Sequence, residues 1–579
     1  MAYPRPQFQR KDWQTLNGSW LYTFNEAKQA EQLEWQDDIQ VPYPPESKLS
    51  GVHDESFHPV IWYERSFTVP EAWQSKRIFL HFGAVDYRAE VWVNGQHVVS
   101  HEGGHTPFKA DITEALTDGE QIVTVRAEDD PFDLTQPRGK QDWQAEPHRI
   151  WYPRSTGIWQ SVWLEPVAET YISKLRMTPN LSNFAIQIDI ELTGNLEGLR
   201  VDVEFRLGEQ LLASDSLTPS QLQSWQNHLS RDIKLAVNGF DDLLDYIWFP
   251  ESPTLIDVNL TLKRDDVVLD EVSSYTALRS AETRDGQFIL NGRPYFVRQA
   301  LDQGYWDDSL LAAPDDEALK KDVELAKAMG FNGVRKHQKI EDPRYLYWAD
   351  KLGLLVWEEM PSPYVFSPEA INRVTKEWLE VIERDYNHPC IVTWVCFNES
   401  WGVMDLQNSE LQRNFVAGLY HLTKALDGSR PVVGNDGWEH VETDLLTIHD
   451  YSREPEVLAN RYGTPEACQD TLLMTLEHGR ALLLEDTVLT NQPVLLSEFG
   501  GIRFNPEAEE GWGYQEVKTK EELLEIYAAM IKAISGRGLA GFCYTQFADT
   551  FQEQNGLLYS DRRPKLDLDA LSKATRGKR

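Results

Sequence analysis

Apolar and polar positions alternate one by one through the first half of the chain, then give way to apolar runs separated by helix-length amphipathic stretches. From Trp13 to about Pro166, short alternating segments at 62–69, 77–82, 89–93 and 122–126 lie between turn residues, the period of half-buried antiparallel strands. Asn94-Gly95 between two such segments predicts a tight hairpin, because both turn positions accept positive φ. The same period continues with fewer aromatics from Tyr171 to about Leu278, as at 185–190 and 201–205. The pattern predicts a jelly-roll-like β-sandwich over 1–168 and an immunoglobulin-like β-sandwich over 169–280. The second lacks the Cys and Trp core spacing of an antibody domain and is expected to serve as a spacer.

After Gly286 apolar strands alternate with amphipathic helices, the pattern of βα units. Strands are expected at 295–301, 333–337, 354–358, 391–399, 431–435, 445–450, 493–498 and 539–546. Helices are expected at 316–329, 343–352, 368–386, 410–426 and 521–535, with Gly330 and Gly353 as C-terminal stops. Such alternation over 281–579 predicts a (β/α)8 TIM barrel, whose chemistry belongs to the loops after the strands.

Composition narrows the function. A net charge of −36 leaves no positive field for nucleic acid or an anionic membrane surface. The 20 Trp and 22 Tyr suit stacking on sugar rings and equally suit sandwich cores. The four cysteines are scattered, without metal-ligand spacing, and read as core thiols. Residues 1–10 carry no apolar leader and no run reaches the length of a membrane span, so a cytoplasmic protein is expected. The oligomeric state, monomer or homo-oligomer, is left open.

Two apolar strands end in a single glutamate each, Glu399 and Glu498, on the fourth and seventh candidate strands and so on the same face of the barrel. A lone strand-end glutamate is more often a salt-bridge partner. A pair that meets is what a retaining glycosidase needs, one carboxyl protonating the leaving oxygen and the other, roughly 5 Å away, attacking the sugar. Glu358 and Glu359 form a rival pair, but neighbours on a strand face opposite ways.

The stretch from Asn387-His388-Pro389 to Trp394, followed by Asn398-Glu399-Ser400-Trp401-Gly402, resembles the acid/base segment of glycoside hydrolase family 2, which contains β-galactosidases, β-glucuronidases and β-mannosidases. Trp13 to Trp20 and Gly157-Ile158-Trp159 resemble its sugar-binding sandwich, Asn291-Gly292-Arg293-Pro294 its entry into the barrel, Ser497-Glu498-Phe499-Gly500 its nucleophile strand, and 555–565 its closing segment. The resemblance implies Glu399 as general acid/base, with a pKa raised by its neighbours, and Glu498 as nucleophile. It further implies Asn398 on the sugar 2-hydroxyl, and Tyr451 and Arg335 supporting Glu498. His337, Trp357, Asp302 and Gln546, at or beyond strand ends, are candidates to line the sugar pocket, with a core role equally open.

Departures from the family bear on the substrate. An Arg-His-Glu type segment common after the first strand is replaced by 300–306, and the Asn-x-Lys element that holds a glucuronate carboxylate is not evident near 555–557. The mannosidase-like pattern after the second strand is replaced by Arg335-Lys336-His337-Gln338. The expectation is a retaining, exo-acting glycosidase of neutral β-glycosides, with galactoside as the default. No organic cofactor is expected. Larger β-galactosidases of the family use metal ions, but none is expected to be essential here. The alternatives are a non-catalytic carbohydrate-binding protein, a transglycosylase with the same dyad, and a glycosidase acting on a glucuronide or mannoside.

Overall fold

A computed structural model of the chain describes residues 2–577 apart from 29–32, 220–226, 238–242, 477, 478, 486, 488 and 507–510. Among the described residues, the first sandwich packs a six-stranded sheet, built around Val60–Thr68 and Glu120–Glu128, on a four-stranded sheet built around Arg77–Phe82 and Val162–Val167. Their inward positions share one core that includes Trp20, Ile61, Tyr63, Leu80, Val91 and Val125. The Asn94-Gly95 turn joins Arg88–Val93 to Gln96–Glu102 with φ of 51° and 78°, as its sequence predicts. A second sandwich follows, with sheets of three and four strands around Ile188, Val203 and Leu260.

The catalytic-type domain is a parallel barrel whose strands are β1 Val297–Asp302, β2 Gly333–Lys336, β3 Leu355–Glu359, β4 Ile391–Val395, β5 Val432–Val433, β6 Leu446–His449, β7 Val494–Gly500 and β8 Gly541–Thr545. All eight fall where the apolar runs predict them. Their paired order is β5-β4-β3-β2-β1-β8-β7-β6, so the ladder is open only between β5 and β6. The outer ring includes α1 Asp316–Ala328, α2 Pro343–Leu352, α3 Pro368–Asp385 and α4 Glu410–Leu426. It continues with α5 Pro455–Tyr462, α6 Pro465–Leu472, α7 Lys520–Ile534 and α8 Leu568–Arg576. Gly353 ends α2 in the left-handed region at φ 79°, donating its N–H to Ala349 O.

The alternation of strand and helix lapses between β5 and β6. Residues 434–445 form no helix and instead pack back on β6. Gly437 N–H donates to Thr447 Oγ1 at 3.1 Å, and the His440 ring accepts from Thr447 N–H at 3.1 Å.

The three units are tied by buried polar contacts. Arg10 joins Glu165 of the first sandwich to Asp270 of the second, at 3.1 and 2.8 Å. Asn387 donates its amide to Leu175 O and accepts from Met177 N–H, each at 2.8 Å, while Tyr275 of the second sandwich donates its O–H at 2.7 Å to Asp350, which His388 also meets at 2.6 Å. The first residues of the segment that resembles the family's acid/base motif therefore clamp the second sandwich to the barrel. The four cysteines are buried and free. No helix of the described residues is long and apolar enough to cross a membrane.

Candidate active site

Beyond β4 the backbone keeps pairing with the segment after β5: Glu399 N–H donates to Asp436 O at 3.0 Å and Asp436 N–H to Phe397 O at 2.8 Å. Glu399 and Ser400 then turn through the left-handed region, at φ 51° and 58°. Two successive non-glycine residues there are costly unless held. Ser400 is held, its hydroxyl donating to Glu439 at 2.7 Å and its N–H to Asn435 at 3.0 Å. On β7 the register slips against both neighbours around Glu498, and such a bulge re-aims a side chain. One oxygen each of Glu399 and Glu498 and a ring nitrogen of His449 all lie within 4.8 Å of one another. That spacing matches the short separation of a retaining pair, roughly 5 Å, and is well short of the wider gap of an inverting one.

Arg335, fully buried on β2, is the hub beneath them. It donates to Glu498 Oε1 at 2.9 Å, to Asn398 Oδ1 at 2.7 Å and to Glu359 Oε2 at 2.8 Å, and reaches Asp436 Oδ2 at 2.8 Å. Burial alone would raise the Asp436 pKa, yet Arg335 and then His449 hold it far below the usual range. Asn398 is thus held through its oxygen, while its buried Nδ2 has no hydrogen-bond partner among the described residues. Tyr451 O–H donates to Glu498 Oε2 at 2.5 Å, so the two oxygens of Glu498 are served by different donors.

His449, the last residue of β6, bridges the carboxylates. Its Nδ1 is 2.8 Å from Glu399 Oε1 and its Nε2 is 2.8 Å from Asp436 Oδ2. Burial disfavours the imidazolium, but Glu498 and Asp436 outweigh it and push the pKa up to about 10. The resemblance implies a raised pKa for Glu399, and the structure gives the reverse. Burial would raise it, but the hydrogen bond and charge of His449, then Lys140, hold it below its ordinary value. In the free site the proton sits on the ring that hydrogen-bonds the candidate acid.

The other candidates divide. His337 Nδ1 lies 2.9 Å from Glu359 Oε1 and 4.0 Å from Glu498 Oε1; burial, then Arg335, keeps the ring neutral. Asp302, Trp357 and Gln546, for which lining and core roles are equally open from the sequence, all make contacts within the protein. Asp302 pairs with Lys336 at 2.8 Å. Trp357 is wholly enclosed in the barrel core. Gln546 is held between Gln303 and Asn555 at 3.0 and 2.7 Å. Of the rival pair, Glu358 faces Asp385 and Arg384 away from the cleft, whereas Glu359 is locked by Arg335 and Gln338 N–H.

The first sandwich supplies one wall of the mouth. Its segment 138–152 sends Gly139 N–H to Ser362 O at 3.1 Å, and Tyr152 O–H to Glu553 after β8 at 2.5 Å. Trp143 and Trp151 pack with Tyr364 and Trp401, the last only two residues beyond Glu399. Asp436, His449, Lys140 and Glu553 are absent from the sequence-based candidates. Asp436 and His449 had a signal, standing at the ends of the fifth and sixth runs as the glutamates do at theirs. Lys140 had none. As for a cation, Glu399, His449 and Glu498 are spaced to ligate one, but a ring protonated up to about pH 10 opposes it. Asp350, His388 and Cys390 form another such group, which a hydrogen bond between His388 and Asp350 already joins.

Comparison with known proteins agrees with this architecture. The family profile "Glycosyl hydrolases family 2, TIM barrel domain" matches residues 281–577, and "Glycosyl hydrolases family 2, sugar binding domain" matches 34–162. The chain belongs to glycosyl hydrolase family 2. A β-galactosidase of Thermoanaerobacter pseudethanolicus is 29% identical over 76% of this chain, which spans only 58% of that relative's length. A β-glucuronidase of Felis catus is 26% identical, over 98% of this chain and 90% of the relative. Among solved structures, a Bifidobacterium dentium β-glucuronidase shares the fold with a TM-score of 0.79 at 20% identity, covering 100% of this chain and 98% of the other. A β-galacturonidase from Eisenbergiella tayi does so at 0.75 and 21%, covering 99% and 98%.

Proposed function

We propose that this glycoside hydrolase is a retaining, exo-acting β-glycosidase with Glu399 as general acid/base and Glu498 as nucleophile. The carrying observation is the approach of the two carboxylates to within 4.8 Å around His449. In the first step the His449 proton reaches Glu399 along their hydrogen bond. Glu399 gives it to the glycosidic oxygen as that bond breaks, while Glu498 attacks the anomeric carbon and forms a glycosyl-enzyme. In the second step Glu399 takes a proton from water, whose oxygen attacks the anomeric carbon and releases Glu498, and Glu399 passes that proton back to His449. Arg335 and Tyr451 donate to the two oxygens of Glu498 and hold it in place for attack. The free Asn398 Nδ2 donates to the sugar 2-hydroxyl, a contact that tightens as positive charge develops on the ring.

The names of the relatives support β-glucuronide more often than β-galactoside as the glycone. One observation favours a neutral sugar. The carboxylate Glu553 stands in the mouth, tied to Asn555 at 3.1 Å, in the segment where an Asn-x-Lys element would hold a glucuronate.

The test is hydrolysis of a panel of nitrophenyl α- and β-glycosides, glucuronide included, by the wild type and by Glu498→Ala with added azide. The expected results are cleavage of β-glycosides only, an inactive variant, and a glycosyl azide of inverted configuration. Activity surviving in Glu498→Ala would refute the nucleophile assignment. A wild type that binds sugars but cleaves none would be a binding protein, and a product built on an added sugar acceptor would mark a transglycosylase.

A further inference from the structure

The glycosidase reading leaves open which residues choose the glycone, and two side chains that it does not use stand in the mouth. Lys140 belongs to the first sandwich, yet the residue is only 5% exposed. Burial pushes its pKa down, and Glu553, then Glu498, Glu399 and Glu359, oppose that. Among the described residues its ammonium has no hydrogen bond and no carboxylate oxygen within 4.0 Å; it faces the Tyr152 ring, 5.6 Å from the centroid.

The position is built, not incidental. Tyr152 N–H donates to Lys140 O at 2.8 Å, and the Gly139 carbonyl accepts from Tyr364 O–H at 2.5 Å. Gly139 itself lies at φ 57°, where an added Cβ would come 2.3 Å from Gln338 O, so the loop docks on the barrel only with glycine there.

Glu553 is the complement from the barrel. It is 3% exposed and accepts from Tyr152 O–H at 2.5 Å and Asn555 Nδ2–H at 3.1 Å; among the described residues it has no cation within 4.0 Å, so burial pushes its pKa up, with Lys140 the first group to oppose that. A nearly enclosed ammonium with no protein acceptor needs one from a ligand or solvent, and a buried carboxylate without a cation is costly. Two neighbouring sugar hydroxyls satisfy both, one accepting from the ammonium and the other donating to the carboxylate. A uronate would satisfy Lys140 alone and bring its charge towards Glu553, Glu498, Glu399 and Glu359.

We propose that Lys140 and Glu553, one from each domain, are specificity residues that hold adjacent hydroxyls of a neutral glycone, with Glu553 discriminating against uronides. This rests on the glycosidase reading.

The experiment compares kcat/KM for 4-nitrophenyl β-D-galactoside, β-D-glucoside and β-D-glucuronide in the wild type, Lys140→Met and Glu553→Gln. The ratio between two substrates on one enzyme preparation is independent of how much of it is folded. The wild type is expected to prefer a neutral substrate, and Glu553→Gln to raise the glucuronide-to-neutral ratio by ~10-fold or more. Lys140→Met is expected to lower kcat/KM on the neutral substrate by ~10–100-fold through a lost charged hydrogen bond. A wild type that prefers the glucuronide, or a ratio that Glu553→Gln leaves unchanged, would overturn the assignment while leaving a glycosidase in place. A wild type inert on every substrate would instead remove the reading on which it rests.

Discussion

The Nδ1 of His449 stands 2.8 Å from Oε1 of Glu399, so a protonated ring and the candidate general acid share one hydrogen bond. The proton needed by the leaving group is therefore stored beside Glu399 rather than on it. Replacing His449 by Asn should slow substrates that need protonation by ~100-fold, within the usual range of general acid catalysis. Dinitrophenyl glycosides, whose leaving group needs no proton, should change only a few-fold. Without the imidazolium, the apparent pKa of Glu399 in the kcat/KM profile should move upward. Equal losses on both leaving groups would show that His449 serves structure alone.

The same residue predicts a pH dependence of stability. The folded pKa of His449, about 10, lies above its ordinary value of 6.5. Its contribution is thus complete below about pH 6.5 and is lost as the pH rises through about 10. Denaturant titrations at pH 7 and 9.5 should show the wild type losing on the order of a few kcal/mol more than His449→Asn over that interval. Parallel losses in the two proteins would place the proton elsewhere.

Arg335 compensates Glu359, Asp436 and Glu498 at once. Arg335→Met should destabilise the fold by about 3–5 kcal/mol, the cost of leaving buried carboxylates without their cation. Lysine lacks the planar fork that serves several oxygens. Arg335→Lys should therefore recover only part of the loss in a denaturation assay.

Tyr451 touches Glu498 through its hydroxyl alone. Tyr451→Phe should reduce kcat by ~10–100-fold with little change in melting temperature, as expected when one donor to a reacting carboxylate is removed. A variant with wild-type kcat would remove Tyr451 from the site.

Glu358, beside Glu359 but facing Asp385, has its pKa pushed well up by burial and then by that carboxylate. A neutral amide loses little there. Glu358→Gln should keep wild-type activity on the preferred glycoside, whereas Glu399→Gln should be impaired on every substrate that needs protonation.

The barrel strands were legible because parallel strands are buried on both faces and appear as near-continuous apolar runs. A charge at the end of such a run, as at Glu399 and Glu498, has little choice but a partner or a cleft. The β5–β6 connection was less legible, since its closure depends on Gly437 and His440 meeting β6, contacts without a periodic signature. Trp357 and Gln546 carried the same strand-end signal as the glutamates and lie in the interior, because position along a strand does not fix what fills the layer above it.

From residue order alone came the two sandwiches, the barrel and the expectation that Glu399 and Glu498 share a face, since these follow from periodicity and from the polarity of strand ends. Tertiary structure decided the charge state. The pKa of Glu399 is set by His449 and Lys140, and that of His449 by Glu498 and Asp436. These groups come from distant strands and another domain, and electrostatic interaction depends on distance in space and on burial, neither of which is written in the spacing of residues along the chain.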